Sequence, residues 1–422
     1  MTLKNYFLLS LQITIYFLPI SLIAGSLIVN INIIAIILLG YTYLIIYNLK
    51  LYLDVKNYLL ITFFLFVILS SVINSNIIGF ENILKSIFLL KFLLIYLLID
   101  TLIYNNKLSV KIFCNVCLLF VTLISLDLFL QFFYGKNILG YEPWEGRITG
   151  IFGSEAIAGG YIQKFLIFSL ISIFTFSKIR NFKIDVFEVL LLSTIILASF
   201  IASNRMSFII VLSSVLFIIL FYKILRKKLL ISLILLLPIS IYLFQVDYQI
   251  NKKLTVFKDR VNKLSIQAKE HINEDNKIVD SAQRTDHGKI YLTVIKSFSE
   301  NKLIGNGLKS FRFKCSKFKS DKTACSSHPH NYHLEILHDS GIIGFSLLSL
   351  FVILFLFQKY KNLRFSNLKY LDKIIISLLV LNFLIEVFPL KSTGSLFSTW
   401  TGTILWTSIA FANFGNNKRN EF

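Results

Sequence analysis

The chain has 422 residues, of which 55% are hydrophobic and 16% charged, with 41 Phe and five Pro. That composition excludes an ordinary soluble domain and leaves a polytopic helical membrane protein. The net charge is +20, from 43 Lys and Arg against 23 Asp and Glu; in such a chain the basic excess reads as cytoplasmic loops obeying the positive-inside rule, with no nucleic acid as partner.

Apolar runs long enough to cross a bilayer lie near 6–24, 27–48, 58–74, 83–104, 110–134, 160–177, 186–203, 207–222, 229–246, 334–357, 372–389 and 396–413. They predict an all-α fold of about twelve transmembrane helices. The first run has no small-residue cleavage site ahead of a polar domain, so it reads as a span and not a signal peptide. Basic residues fall in alternate short loops: Lys50 and Lys56; Lys107 and Lys111; Lys178, Arg180 and Lys183; Lys223, Arg226, Lys227 and Lys228; then Lys359 to Lys373. The opposite short loops hold only Lys136, Arg147, Arg205 and Lys391. This asymmetry predicts cytoplasmic N- and C-termini, an even number of spans, and an outer location for the long segment 247–333.

Three parts follow: 1–246 with spans one to nine, a loop domain at 247–333, and 334–422 with spans ten to twelve and a short tail. The loop is too long for a mere connection. Leu254, Phe257, Val261, Leu264 and Ala268 recur at helical steps, and a second amphipathic helix after Arg284 has Ile290, Val294, Ile295 and Phe298 on one face. Such helices lie on the bilayer surface or cap the bundle.

The four cysteines fall in two pairs. Cys114 and Cys117 lie inside an apolar run and read as buried small hydrophobes, not as a metal or redox pair. Cys315 and Cys325 flank a polar stretch on the outer face, where an oxidising compartment permits a disulfide.

The segments with chemical promise are all assigned to the outer face. Gly146 to Gly153 carries Arg147, the turn Ser203-Asn204-Arg205 follows span seven, and the long loop brings Arg284, Asn306-Gly307 and a histidine cluster. Guanidinium groups grip phosphate oxygens bidentately without deprotonating, so these arginines suit an anionic lipid head group. Four of the six histidines, His328, His330, His333 and His338, fall within eleven residues at the mouth of span ten. Imidazoles there suit a general base. The spacing of His328, His330 and His333 also allows a zinc site, although no HExxH signature is present.

His330-Asn331, followed after nine residues by Gly341-Ile342-Ile343-Gly344, resembles the signature of the O-antigen ligase family, which includes related O-antigen polymerases. The order of the Gly-Arg-x-x-Gly-x-Phe segment, the Ser/Arg turn, Arg284 and Asn301 to Gly307 resembles that family as well, over residues 140–345. Two features depart from its pattern: Asn204 separates Ser203 from Arg205, and Asp286-His287-Gly288 intervene between Arg284 and Tyr291.

The resemblance implies a glycosyltransferase of a Gram-negative inner membrane, working at the periplasmic face. It implies a glycan donor on undecaprenyl diphosphate, an acceptor hydroxyl on lipid A core or another glycan, and membrane lipids as surroundings. His330 is then the catalytic base, Arg205, Arg284 and Arg147 hold the diphosphate, and Asn331, Gly341, Gly344 and His328 support the motif. Inverting transfer with no metal or other cofactor is expected, because a lipid diphosphate already leaves readily. A polymerase uses the same chemistry on another lipid-linked acceptor. A transporter would show charges deep in several spans, and Asp127 and Glu386 are the strong candidates.

Overall fold

The computed structural model describes residues 3–145, 147–179, 184–202, 204–246, 286–318, 320, 323–389 and 391–416. In chain order its main helices are α1 (Leu3–Tyr16), α2 (Leu18–Ala24), α3 (Ser26–Ile46), α4 (Val55–Ile73), α5 (Ser75–Phe88) and α6 (Leu90–Tyr104). There follow α7 (Val110–Tyr134), α8 (Ala158–Ile179), α9 (Val186–Ile201), α10 (Arg205–Phe221) and α11 (Lys223–Val246). The last are α12 (Asp286–Phe298), α13 (Tyr332–Phe365), α14 (Tyr370–Glu386) and α15 (Thr399–Ala412). Among the described residues the only strand-like pairing is the isolated bridge between Trp144 and Arg147.

A helix thus stands at each of the twelve apolar runs, but not all have the dimensions of a crossing. Among the described residues six stretches are long and apolar enough, namely α3, α4, Gly79–Tyr104, α7, Ala158–Ser177 and α13; the pair α1–α2, bent by 47°, makes a seventh. α9 and α10 are apolar but have only 16 and 17 residues, about 24–26 Å at 1.5 Å per residue against a hydrocarbon core of about 30 Å. α14 and α15 are likewise short, at 17 and 14 residues.

Side-chain caps fix where several helices begin. Asp54 accepts from Asn57 N at 3.1 Å, Asp185 from Phe187 N at 2.8 Å, Asn204 from Ser207 N at 3.3 Å and Ser398 from Thr401 N at 3.2 Å. Each satisfies one backbone donor that the first turn leaves orphaned. Outward positions stay apolar, as at Leu38 (64% exposed) and Ile353 (58%), which is expected where lipid replaces water.

By packing the chain divides into two compact units, Met1–Phe113 with Val279–Phe422, and Cys114–Ile278. The first is centred on aromatic side chains: Trp406 meets Phe64 with ring centroids 5.2 Å apart, and Tyr96 meets Phe351 at 6.0 Å. In the second unit, Lys228 is buried in α11 and ion-paired to Glu188 of α9. Lys228 counted as a loop cation in the sequence; its neutralised burial is what lets it sit inside. Cys114 and Cys117 are buried free thiols.

Of the expected loop helices, the one at 254–268 lies outside the described residues. The second is α12, and its inner face is narrower than the periodicity implied. Ile290 and Val294 are buried, one turn apart, whereas Ile295 is 54% exposed because one further residue turns it about 100° away.

Candidate active site

The entry to α13 is fixed by its own polar residues. Asn331 caps the helix, its Oδ1 accepting from Leu334 N at 3.1 Å, while its Nδ2 donates to the Pro389 carbonyl at 2.6 Å. Tyr332 donates to Glu386 Oε1 at 2.9 Å, and Lys391 donates to the other oxygen at 2.8 Å. His333 Nε2 lies 2.8 Å from the Val387 carbonyl, so it carries the hydrogen there. Glu335 accepts from Ser395 Oγ at 2.5 Å and Leu396 N at 2.7 Å. Asn331, His333 and Glu335 therefore bind the segment after α14, and Tyr332 binds Glu386 at the end of α14, so Glu386 serves as an anchor.

The glycine motifs form one lock. α13 is interrupted at Gly341, with φ +64° and ψ −169°. Into this break docks the segment Asn301–Gly307: Asn306 N donates to His338 O, Gly307 N to Asp339 O and Ile342 N to Lys302 O, each at 2.9 Å, and Ile343 N to Leu303 O at 3.2 Å. A Cβ on Gly341 would overlap the Leu303 carbonyl, and one on Gly305 would overlap Gly341 N. Both positions also have positive φ, which glycine adopts without steric cost. The end of α4 completes the lock, with Ser70 Oγ donating to Asp339 O at 3.0 Å and Asn74 Nδ2 to Gly305 O at 3.1 Å. His338 is fully buried between Ser297 Oγ and Asp339 Oδ1, each at 2.9 Å, so it belongs to this framework. Gly344 is also buried, in the following turn.

His330 is held differently. Its φ is +57°, an uncommon conformation for a residue with a Cβ, and its carbonyl accepts from Thr393 N at 2.9 Å. The Nε2 lies 3.0 Å from Ser326 Oγ. Its ring is 4.1 Å from that of His328 and 5.1 Å, edge on, from that of His287 in the first turn of α12. Burial, and then the His287 imidazole beside it, hold the His330 pKa below the ordinary 6.5. Burial, and then His330, push His328 down to about 4. Both rings are thus neutral near pH 7. Among the described residues no three His, Cys, Asp or Glu side chains converge as metal ligands.

His287 was legible only as an interruption after Arg284. The sequence gives no sign that it meets His330, because the two are separated by 43 positions and joined by tertiary packing. Ser326 was hidden for the opposite reason: a serine next to a histidine motif has no distinctive spacing.

Cys315 and Cys325 are joined, with Cα atoms 5.3 Å apart. Cys315 packs with Ile290, Val294 and Phe311 in a small core that Ala324 and Leu334 cover. Thr293 Oγ1 donates to Ala324 O at 2.8 Å, tying α12 to the strand of chain that leads to His330.

The arginines do not share this unit. Arg147 and Arg205 lie in the unit Cys114–Ile278, both exposed. Arg205 opens α10, and the Arg147 guanidinium lies over the Trp144 ring at 5.9 Å. Arg284 lies outside the described residues. Asp127 staples the loop after α7, accepting from Ile138 N at 3.0 Å and Asn137 Nδ2 at 3.4 Å, so its burial also has a structural cause.

Residues 189–349 match the family model Wzy_C, described as O-antigen ligase. The match includes Arg205, Arg284, His330, Gly341 and Gly344, and begins after the Arg147 segment. No curated protein matches the chain.

Proposed function

We propose, from the chain's membership of the O-antigen ligase family through residues 189–349, that it is a membrane glycosyltransferase of the ligase type using a diphosphate-linked lipid donor. Its helices cross the inner membrane about twelve times, both termini are cytoplasmic, and the site around His330 is periplasmic. The short helices α9, α10, α14 and α15 cross where neighbouring protein or local bilayer thinning makes up the difference.

One observation carries the chemical reading: an imidazole pinned in a left-handed conformation, with a hydroxyl 3.0 Å from its Nε2. Strained backbone of this kind costs about 1–3 kcal/mol and persists where surrounding bonds over-determine it. Here Thr393 N, which donates to the His330 carbonyl, and the Asn331 cap beside it do so. The Ser326 hydroxyl marks the place that an acceptor hydroxyl takes. His330 accepts its proton, the acceptor oxygen bonds to the anomeric carbon, and the bond to the diphosphate oxygen breaks with its electron pair leaving on the lipid diphosphate. Attack opposite the leaving group inverts the anomeric centre.

Arg205 and Arg284, with Arg147, would hold the diphosphate and stabilise charge as it leaves. His328, Asn331, Gly341 and Gly344 position the base, and the Cys315–Cys325 bridge restrains its approach. With guanidinium groups in the place a divalent ion takes elsewhere, transfer persists in EDTA. Chelation that abolishes it, with rescue by Mg²⁺ or Mn²⁺, would overturn the arginine clamp.

The test of the class is His330→Ala in a complementation assay: transfer at wild-type level refutes the base. A deletion strain separates the acceptors. Loss of all polymer on lipid A core marks a ligase, and a single repeat unit left on core marks a polymerase.

A further inference from the structure

The loop between α7 and α8 is built with more care than a connection requires. Gln131 of α7 accepts from Thr149 N and Gly150 N, both at 2.8 Å, and its Nε2 donates to Tyr141 O at 3.1 Å. Asn137 Oδ1 accepts from Leu139 N at 3.0 Å and Tyr141 N at 2.7 Å, and Asp127 fixes Ile138 N as described. Gln131, Asn137 and Asp127 are all buried, so the loop is held from below by side chains committed to its backbone. Its tip is a tight turn in which Arg147 N donates to Trp144 O at 2.8 Å and Glu145 takes φ +48°.

This scaffold presents an open cleft of about 540 Å³ whose lining includes Tyr141, Glu142, Trp144, Glu145, Phe152 and Ser154. Phe152 packs on the buried Tyr161, but two of the rings stay outside the core: Trp144, with the Arg147 guanidinium over its ring, is 38% exposed and Tyr141 is 47% exposed. Two carboxylates stand beside them, Glu142 turned toward Lys136 at 3.4 Å with both groups well solvated. Planar rings offer a flat apolar face, and carboxylates accept hydrogen bonds from vicinal hydroxyls. A pyranose ring has the complementary pattern, with C–H groups on one face and hydroxyls at its rim.

We infer that the Tyr141–Ser154 cleft is a saccharide subsite, which takes one neutral pyranose ring of a glycan substrate by stacking on Trp144 and hydrogen bonding to Glu145. This deepens the glycosyltransferase reading and rests on it for the identity of the glycan. Aromatic side chains of a membrane protein also anchor at the lipid interface. Concavity and two glutamates argue against that use here, since anionic headgroups repel carboxylates and a flat anchor needs no cleft.

The test uses the full chain in nanodiscs and, as probe, the end-labelled glycan released by mild acid from the lipid-linked donor. Trp144→Ala is expected to weaken binding about tenfold, Glu145→Gln to weaken it less, and Trp144→Phe to stay within about threefold, as an aromatic platform predicts. In transfer assays Trp144→Ala should raise KM about tenfold with a smaller change in kcat; the substrate whose KM rises, donor or acceptor, identifies the source of the ring. His330→Ala should bind the probe like wild type, so failure of the base assignment leaves the subsite testable. Unchanged probe binding in Trp144→Ala would overturn the inference. So would quenching of Trp144 fluorescence by brominated phosphatidylcholine–phosphatidylglycerol without any response to the glycan.

Discussion

Two loops of this protein are stapled to helix ends by buried polar groups, and they differ in how. The segment around His330 is locked by backbone meeting backbone, with Asn306, Gly307, Ile342 and Ile343 all donating across the break in α13. The loop after α7 is held instead by three side chains, Asp127, Gln131 and Asn137, reaching up to backbone donors. Backbone locks tolerate no side chain at the contact, whereas side-chain staples leave the loop surface free to vary. The first arrangement suits an invariant reacting group, and the second a surface matched to one substrate. The family match covers the first loop and not the second.

The sharpest way to break this contrast is a methyl group. Gly341→Ala places a Cβ against the Leu303 carbonyl at φ +64°, and the strain plus overlap should cost about 3 kcal/mol or more. Gly140→Ala in the other loop has φ +82° but open space around it, so only the conformational cost of about 1 kcal/mol applies. Thermal unfolding in detergent should show the larger fall for Gly341→Ala; equal falls would mean that the backbone lock is not tight.

The disulfide comes next. Closing ten residues between Cys315 and Cys325 contributes about 2–3 kcal/mol through the unfolded ensemble. In intact cells both thiols should resist maleimide until a reductant is added. Labelling without reductant would remove the bridge from the account, and labelling only from the cytoplasmic side would overturn the topology.

Gln131→Ala removes the acceptor shared by Thr149 N and Gly150 N, at about 1–3 kcal/mol for buried donors left unmade. It should loosen the aromatic loop and raise KM while leaving the His330 segment as resistant to protease as in wild type. Equal protease sensitivity in both loops would show them to be one cooperative element.

The smallest effect is on pH dependence of stability. His328 and His330 bind protons less readily folded than unfolded. Below 6.5 the unfolded chain therefore takes up protons that the folded chain refuses, and stability falls as pH drops toward about 4. Above 6.5 the two contribute no slope. Unfolding followed from pH 7 to pH 4 should show this loss, and His328→Gln should reduce it.

Much of this was legible in the chain. Twelve apolar runs gave twelve helix positions, because apolar length is what a bilayer selects. The number that reach across was only partly legible: the run 207–222 is short in the sequence and forms a helix of only 17 residues, Arg205–Phe221, whose crossing depends on surroundings that the sequence does not specify. His330 and Asn331 stood out by spacing. The break at Gly341 did not, because its cause is the distant loop Leu303–Gly305, and neither did Asp127, whose carboxylate looks like a buried charge until the amide it holds is known. His287 could not be placed beside His330 without the packing of α12 on the disulfide segment.

The central claim is that a neutral, fixed His330 takes the acceptor proton. Its most direct test is the rate of glycan transfer by purified protein between pH 5 and 8, wild type against His330→Ala. The wild-type rate should rise with pH through an inflection below 6.5 and then level, since the base works only when unprotonated. His330→Ala should be slower by about 10²–10⁴-fold and lack that limb. A variant that keeps the wild-type rate, or the same acid limb, would contradict the account.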